Sequence, residues 1–546
     1  MAANRGLERT LLLLTKTPNP SAIEVLDAGL RSDEPVVRGS AARALSRRRG
    51  PAAARALLLA LPETPADVQQ AVATRPAARR LRPGVIAALK GDDVLLCKRA
   101  CRYAQDTCDP HVLPVLAEQA SQADHPYGLG LATTALQLAK NLSEQIHPPT
   151  DDADPPAEDP AFARRAALNA LVRAVDSFSN HRHVELVEAF ALLAVPDDLV
   201  LRRVLTDATH AAHQPLLDAL ASSTAPGAMQ IVSRTLLQDH PAAPLVGLLT
   251  SRTDRPFVEH LLGEMGDRPP LRALESARGL AGFAWAEEPH EGLLLALPGP
   301  LQANALKLAA ATSMSKRRLT TLCELMIESG QTGGRIAACQ VIGKVNSRVA
   351  STLIASALRD TDPGVVAAAT TQLRNRGIEG SREKLIALLD HDHEEVQQAA
   401  QGCLTDVNYE SFRAVYDHLE EPARRTHGRL VGKADPNCAA AVKSDLLAAS
   451  PTQRLRTLEI AATLGIADRL ADVLTDQLAD PDAAVRAAAA RALAGASEPA
   501  AREALQSALE DANSTVREAA AKSLAPLAPI DLAAGLVQHL QQEFPL

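Results

Sequence analysis

Residues 480–493 read DPDAAVRAAAARAL, and thirty-one positions later the chain nearly repeats itself as DANSTVREAAAKSL (511–524). In the first copy Val485, Ala488, Ala489, Ala492 and Leu493 fall at i, i+3, i+4, i+7 and i+8, which is one apolar stripe along a helix. Asp480 ahead of Pro481 is a helix-start signal: a carboxylate can cap free N–H groups, and proline fits a first turn. Val516, Ala519, Ala520, Ser523 and Leu524 reproduce the stripe in the second copy. A second amphipathic stretch precedes each copy, through Leu470, Val473, Leu474 and Leu478 in one case and Leu505, Ala508 and Leu509 in the other. The predicted unit is therefore helix, short polar turn, helix.

Working outward, LRSDEPVVRGSAARAL (30–45), LRDTDPGVVAAATTQL (358–373) and LLDHDHEEVQQAAQGCL (388–404) carry the same pattern, and GGRIAACQVIGKV (333–345) and DDVLLCKRACRYA (92–104) read as second helices whose turns have drifted. A helix pair of this size cannot bury its stripe alone, so self-similarity near thirty residues implies pairs stacked in a row. Composition agrees. The 546 residues are 46% hydrophobic but only 2% aromatic, an Ala/Leu-rich mix that favours helices over sheet. Small alanines at inward positions let helices approach closely without large fillers. The expected fold class is all-α, with roughly a dozen or more helix pairs.

The D-P-x-x-V-R-x-x-A-A-x-A-L pattern resembles the HEAT-repeat superfamily, in the short form called phycobilisome-lyase-type HEAT-like repeats. The match is clear at 21–49, 348–405 and 466–527, and degenerate over roughly 50–345. The resemblance implies a right-handed α-α solenoid of HEAT-like helix pairs. It also implies ladders between units, formed by the turn Asp and the second-helix Arg (Arg38, Arg486 and Arg517). Solenoids of this family serve as scaffolds, adaptors and, more rarely, enzymes, so the fold leaves function open.

The stretch HPPTDDADPPAEDP (147–160), with five prolines and five acidic residues, has no helical period and reads as an exposed loop or linker. It divides a basic N-terminal array (1–146) from a longer solenoid (161–546), degenerate over 161–345 and regular over 346–527; one solenoid interrupted by a loop fits equally well. Seven cysteines, odd in number and scattered through helical patterns, do not form a disulfide framework. The start of the chain lacks a secretory apolar region, and no run is long enough to span a bilayer. A cytoplasmic protein with no membrane contact is expected.

Candidate chemistry is sparse. DHDHEEV (390–396) offers His391, His393 and Glu394 as weak metal ligands. A HEAT-repeat enzyme family, deoxyhypusine hydroxylase, holds two irons with His-Glu pairs in several repeats. Here His393–Glu394 is the single such pair in a clean repeat, and the competing reading is a solvated turn whose acids favour a helix N-terminus. Cys97 and Cys101 lie one helical turn apart without a second pair for zinc, and read as small core residues. Trp285 reads as a packing residue. No phosphate loop or nucleophile elbow is present. No catalytic residue, metal or cofactor is expected.

Charge is more informative. From 38 to 102 fourteen basic residues face four acidic ones, a net +10, while the whole chain carries −8. Arg47, Arg48, Arg49, Arg79, Arg80 and Arg82 are the densest groups and the candidates for an anionic partner. Three readings of this face stay open: a solvated surface, an acidic protein, and nucleic acid bound through its phosphates. The lone Tyr103 provides no stacking platform, so other proteins are the favoured partners. The expected function is a protein-interaction scaffold or adaptor without catalytic activity. The alternatives are a nucleic-acid-binding solenoid on the basic face and a HEAT-type metalloenzyme or lyase-like protein.

Overall fold

The computed structural model describes residues 2–48, 50–146, 159–374, 378, 380–448 and 450–525. Among these residues there are 34 α-helices, five short 3-10 helices and no strand. The chain divides into two compact units, 1–315 and 316–546.

Unit 2 holds seven helix pairs among its described residues, from Lys316–Ser329 with Thr332–Ile342 to Pro499–Ala508 with Ser514–Leu524. Each second helix packs on its own partner and on the second helix of the next pair. The stripes predicted above are the buried faces: Val485, Ala488, Ala489, Ala492 and Leu493 are buried, as are Val516, Ala519, Ala520, Ser523 and Leu524. The helix starts differ slightly from the expectation. Asp482, rather than Asp480, caps the helix Ala483–Ala492 through Ala484 N–H, and Asn513 caps the next through Thr515 N–H. Asp480 instead closes the turn, its Oδ1 accepting from Asp482 N–H at 2.8 Å. Asp360 and Asp511 do the same for Asp362 and Asn513.

The fourth residue of the second helix completes the turn. In five of these helices it is an arginine: Arg335, Arg424, Arg454, Arg486 and Arg517. Their guanidinium groups reach back to carbonyls of the preceding turn: Arg335 to Gly330, Arg454 to Ala448, Arg486 to Asp480, Arg517 to Asp511 and Arg424 to Tyr416. Three of them also reach forward to the turn carboxylate of the next pair. Arg335 grips Asp360 at 2.8 and 3.1 Å, Arg454 grips Asp480 at 2.9 and 2.8 Å, and Arg486 grips Asp511 at 2.8 and 3.0 Å. Each forked, charge-assisted contact fixes the register of two neighbouring repeats. The expected ladder therefore exists at Arg486. Arg38 and Arg517 form its backward arm, Arg38 to the Ser32 and Asp33 carbonyls.

Asp480→Asn is expected to lower the stability of unit 2 by about 2 kcal/mol, because it strips charge from a buried partner of Arg454 while leaving that guanidinium in place. Denaturant unfolding monitored by circular dichroism measures this.

Unit 1 begins with the same helix pairing, as in Ser21–Leu30 against Pro35–Arg47, and becomes irregular further on. Its middle contains the four-residue helices Phe178–His181 and Gly292–Leu295 and the 3-10 turns Arg234–Leu237 and Ala284–Ala286. Large side chains fill the gaps left by the broken spacing. Phe190, Phe257, Phe283 and Trp285 are all buried, and Trp285 stacks on Phe283 with centroids 4.9 Å apart. Trp285 is thus a core residue. Apart from Asp159 and Pro160, the expected loop 147–160 lies outside the described residues. On either side of it, Gly128–Ile146 packs against Val184–Leu193, and Pro160–Asp176 packs against Leu113–Ala120.

Candidate functional site

Several of the basic residues between 38 and 102 have polar partners within the fold. Arg48 donates to the Leu14, Thr17 and Asn19 carbonyls, closing the end of the helix Ala2–Lys16. Arg55 pairs with Asp93, whose carboxylate also caps the helix Val94–Thr107 and is held below its usual range, first by the N–H of Leu96. Arg102 pairs with Asp106 one turn along the same helix. Arg82 makes a forked contact with the buried Asp109 at 2.8 and 3.0 Å. Arg47, Arg79 and Arg80 are exposed, and Arg49 lies outside the described residues.

The helix Arg75–Leu89 brings Arg75, Arg79 and Arg82 to one face, at i, i+4 and i+7. Together they line a small cleft of about 100 Å³ with Cys108, Asp109 and His111, and Ala78, Pro110 and Ala163 supply its apolar wall. Asp109 organises the floor: besides holding Arg82, its Oδ1 accepts from His111 N–H at 3.2 Å. Burial pushes the His111 imidazole below its ordinary range, and the Arg82 and Arg79 charges push it the same way against the opposing pull of Asp109. Cys108 is the one exposed cysteine, in the left-handed region at φ 50°, and its Sγ accepts from Asn141 Nδ2 at 3.1 Å. Of the six arginines marked in the sequence, Arg79 and Arg82 meet in this cleft, Arg80 does not line it, and Arg47 ends another helix with Arg48 just beyond it. Arg75 and His111 went unmarked. The four-residue spacing of Arg75 and Arg79 was the readable sign of the first, while nothing local to His111 foretold its place.

A profile described as HEAT repeats matches residues 319–405 and 471–544. Both stretches lie in unit 2, where the helix pairs and the arginine ladder are most regular. These are HEAT repeats. Among solved structures, the chain is similar to one from a "Crystal structure of Kap121p", with 13% identity, 94% of this chain and 68% of that chain covered, and a TM-score of 0.24. A chain described with "A conserved phosphorylation switch controls the interaction between cadherin and beta-catenin in vitro and in vivo" shows 14% identity, coverage of 92% and 98%, and a TM-score of 0.34. One from a "Homology model of the full-length AP-3 complex in an intermediate open conformation" shows 10%, 98% and 98%, and 0.35. No curated protein matches the sequence.

The HEAT repeats explain the histidines at 391 and 393. His391 stands where Asp480 and Asp511 stand in their repeats, and its Nδ1 accepts from His393 N–H at 3.2 Å in place of a carboxylate oxygen. Gln397 stands where the ladder arginine would be and donates to the His391 carbonyl at 2.6 Å. Glu394 opens the helix Glu394–Cys403 and accepts from Gln398. The imidazole nitrogen thus takes the place of the turn aspartate's carboxylate oxygen. Among the described residues no group of three or more His, Cys, Asp or Glu is arranged to hold a metal ion, and no helix is long and apolar enough to cross a membrane. His391→Ala is expected to change stability by less than about 1 kcal/mol, against the larger loss at Asp480→Asn. An equal loss in the same unfolding assay would show that the imidazole does more than close its turn. Cys97 and Cys101 are buried, as expected for small core residues.

Proposed function

We propose that the protein is a protein-interaction scaffold without catalytic chemistry of its own, and that the cleft on the helix Arg75–Leu89 docks an acidic segment of a partner protein. The observation that carries this reading is the convergence of Arg75, Arg79 and Arg82 on one concave face, where they outnumber the two lining carboxylates, Asp109 and Asp159. Asp109 holds Arg82 in place, while Arg75 and Arg79 project at the rim. An apolar wall beside fixed guanidinium groups suits a peptide carboxylate on a short side chain better than an extended phosphate backbone. The stacked helix pairs of unit 2, locked in register by the ladder at three junctions, support the scaffold role by presenting further helix faces to partners.

The test is fluorescence polarisation with a labelled oligoglutamate peptide and, separately, labelled duplex DNA. The peptide is expected to bind with an affinity that falls as salt rises, and Arg75→Glu with Arg79→Glu to weaken it by about 10-fold or more. Arg80→Glu, which lies off the cleft, is expected to change it little. Tighter binding of DNA, abolished by the same pair of substitutions, would replace the acidic partner with nucleic acid. Peptide binding that survives the charge reversal would overturn the site.

A further inference from the structure

A second concavity in unit 1 is larger and differently built. Its volume is about 760 Å³, within the range of small-molecule sites. One wall is the helix Val94–Thr107, which contributes Lys98 and Arg102 one turn apart. The other is the start of the helix Gly128–Ile146 with the turn before it, which contributes His125, Tyr127 and Leu129, and His183 closes one end. No carboxylate lines the groove. Asp124 stands exposed between the lining residues Ala123 and His125, and Asp106 pairs with Arg102 at 3.2 Å in an exposed contact between side chains 49% and 72% accessible. Such a pair is weak and readily exchanged for a better acceptor.

The histidines are oriented by the backbone. His125 Nδ1 accepts from Tyr127 N–H at 3.1 Å, so in the neutral ring the proton sits on Nε2 and His125 presents a donor. His181 Nδ1 likewise accepts from His183 N–H at 3.0 Å, and its Nε2–H donates to the Ala174 carbonyl at 2.9 Å. That fixes His181 as a prop on which the His183 ring stacks, 5.4 Å between centroids. The edge depends on two glycines. A Cβ at Gly128 would come 2.8 Å from His183 Nε2, and one at Gly130 would come 2.1 Å from the Tyr127 ring. The Tyr127 ring therefore lies close against the Gly130 backbone, with Lys98 Nζ 5.4 Å from its centroid. The threonine hydroxyls are already spent, Thr133 on the Leu129 carbonyl and Thr134 on the Gly130 carbonyl. What the groove offers a ligand is donors from several directions: a lysine ammonium, a guanidinium fork and an imidazole N–H.

We propose that this groove binds a phosphoryl monoester, with Lys98, Arg102 and His125 Nε2–H holding the phosphoryl oxygens and the exposed Leu129 flanking the organic part. A planar carboxylate has two oxygens for donors in one plane. A tetrahedral dianion has three, and it draws about twice the Coulomb attraction from the same two cations. The chemistry is common to a phosphorylated amino acid and a nucleoside monophosphate, and the ligands below distinguish the two.

The experiment is isothermal titration of the full chain with O-phosphoserine and with adenosine 5′-monophosphate, each beside its unphosphorylated counterpart, serine or adenosine. At least one phosphorylated ligand is expected to bind with Kd below about 1 mM, with no heat from its counterpart. Lys98→Gln with Arg102→Gln is expected to weaken it by about 10-fold or more; both side chains are exposed, and an unchanged thermal midpoint checks that the fold is intact. Arg80→Gln, outside the groove, is expected to leave binding unchanged. Binding of O-phosphoserine alone assigns the site to phosphorylated side chains, binding of the nucleotide alone assigns it to nucleotides, and equal binding assigns it to the phosphoryl group itself; all three support the proposal. Equal affinity for a phosphorylated ligand and its counterpart, no binding of either phosphorylated ligand, or undiminished binding to the double variant would overturn it.

Discussion

Gly432→Ala is expected to destabilise unit 2 by about 3 kcal/mol or more. The helix Glu421–Ala434 crosses the last turn of the helix Pro451–Leu464 at this point. A Cβ on residue 432 would come 2.1 Å from the Leu464 carbonyl oxygen and 3.1 Å from Ile466 Cγ2. The obstacle is backbone, so no rotamer change relieves it. Retreat is resisted because Arg469 bridges the Gly432 and Pro436 carbonyls, the second at 2.8 Å. Gly402→Ala supplies the control: nothing lies within 4 Å of a Cβ there, and it sits in a helix. That change is expected to be neutral or to stabilise by up to about 1 kcal/mol. Chemical denaturation of the full chain, followed by helical circular dichroism, compares the two. If Gly432→Ala behaves like Gly402→Ala, the close crossing is wrong.

Trp285→Ala is expected to cost unit 1 about 3–5 kcal/mol, the combined loss of buried area and the cavity left behind. This is the chain's only tryptophan, fully buried and stacked on Phe283. Trp285→Phe keeps a ring in place and is expected to cost less than half as much. Native-state hydrogen exchange locates the effect, since amides of residues 257–311 should lose protection while those of the helix Ala483–Ala492 keep theirs. A tryptophan buried in this way also emits in the blue; emission like that of an exposed indole would contradict the packing directly.

The two copies quoted from 480 and 511 made the regular part of the fold legible, because helical period, cap and turn residues are all local. Val485 and Val516 announce their stripes, and Arg486 announces its ladder contact by its fixed place in the second helix. The uses of Arg48 and Arg82 were not legible in the same way. Charge can be counted along a sequence, but the carbonyls that occupy Arg48 belong to residues 14, 17 and 19, and the carboxylate that holds Arg82 is at 109. Density of a residue type was a poor guide for the same reason. His391 and His393 look like ligands in one dimension, yet the backbone N–H of one satisfies the ring nitrogen of the other. The grooves of unit 1 draw residues from helices thirty to eighty positions apart, where the repeat spacing has decayed, so neither period nor motif could assemble them.

The ladder also carries a mechanical implication. Its forward contacts join the first two repeats of unit 2 and the last three, but Val366 and Gln397 stand where two intervening arginines would be, and Ala448 offers Arg424 no carboxylate. A row of plates riveted at both ends, but pinned at its centre only by exposed pairs such as Lys433–Asp390 and Arg456–Asp417, yields at the centre first. When a bound partner pulls on unit 2, the strain should gather between residues 366 and 448, leaving the riveted ends to move as blocks.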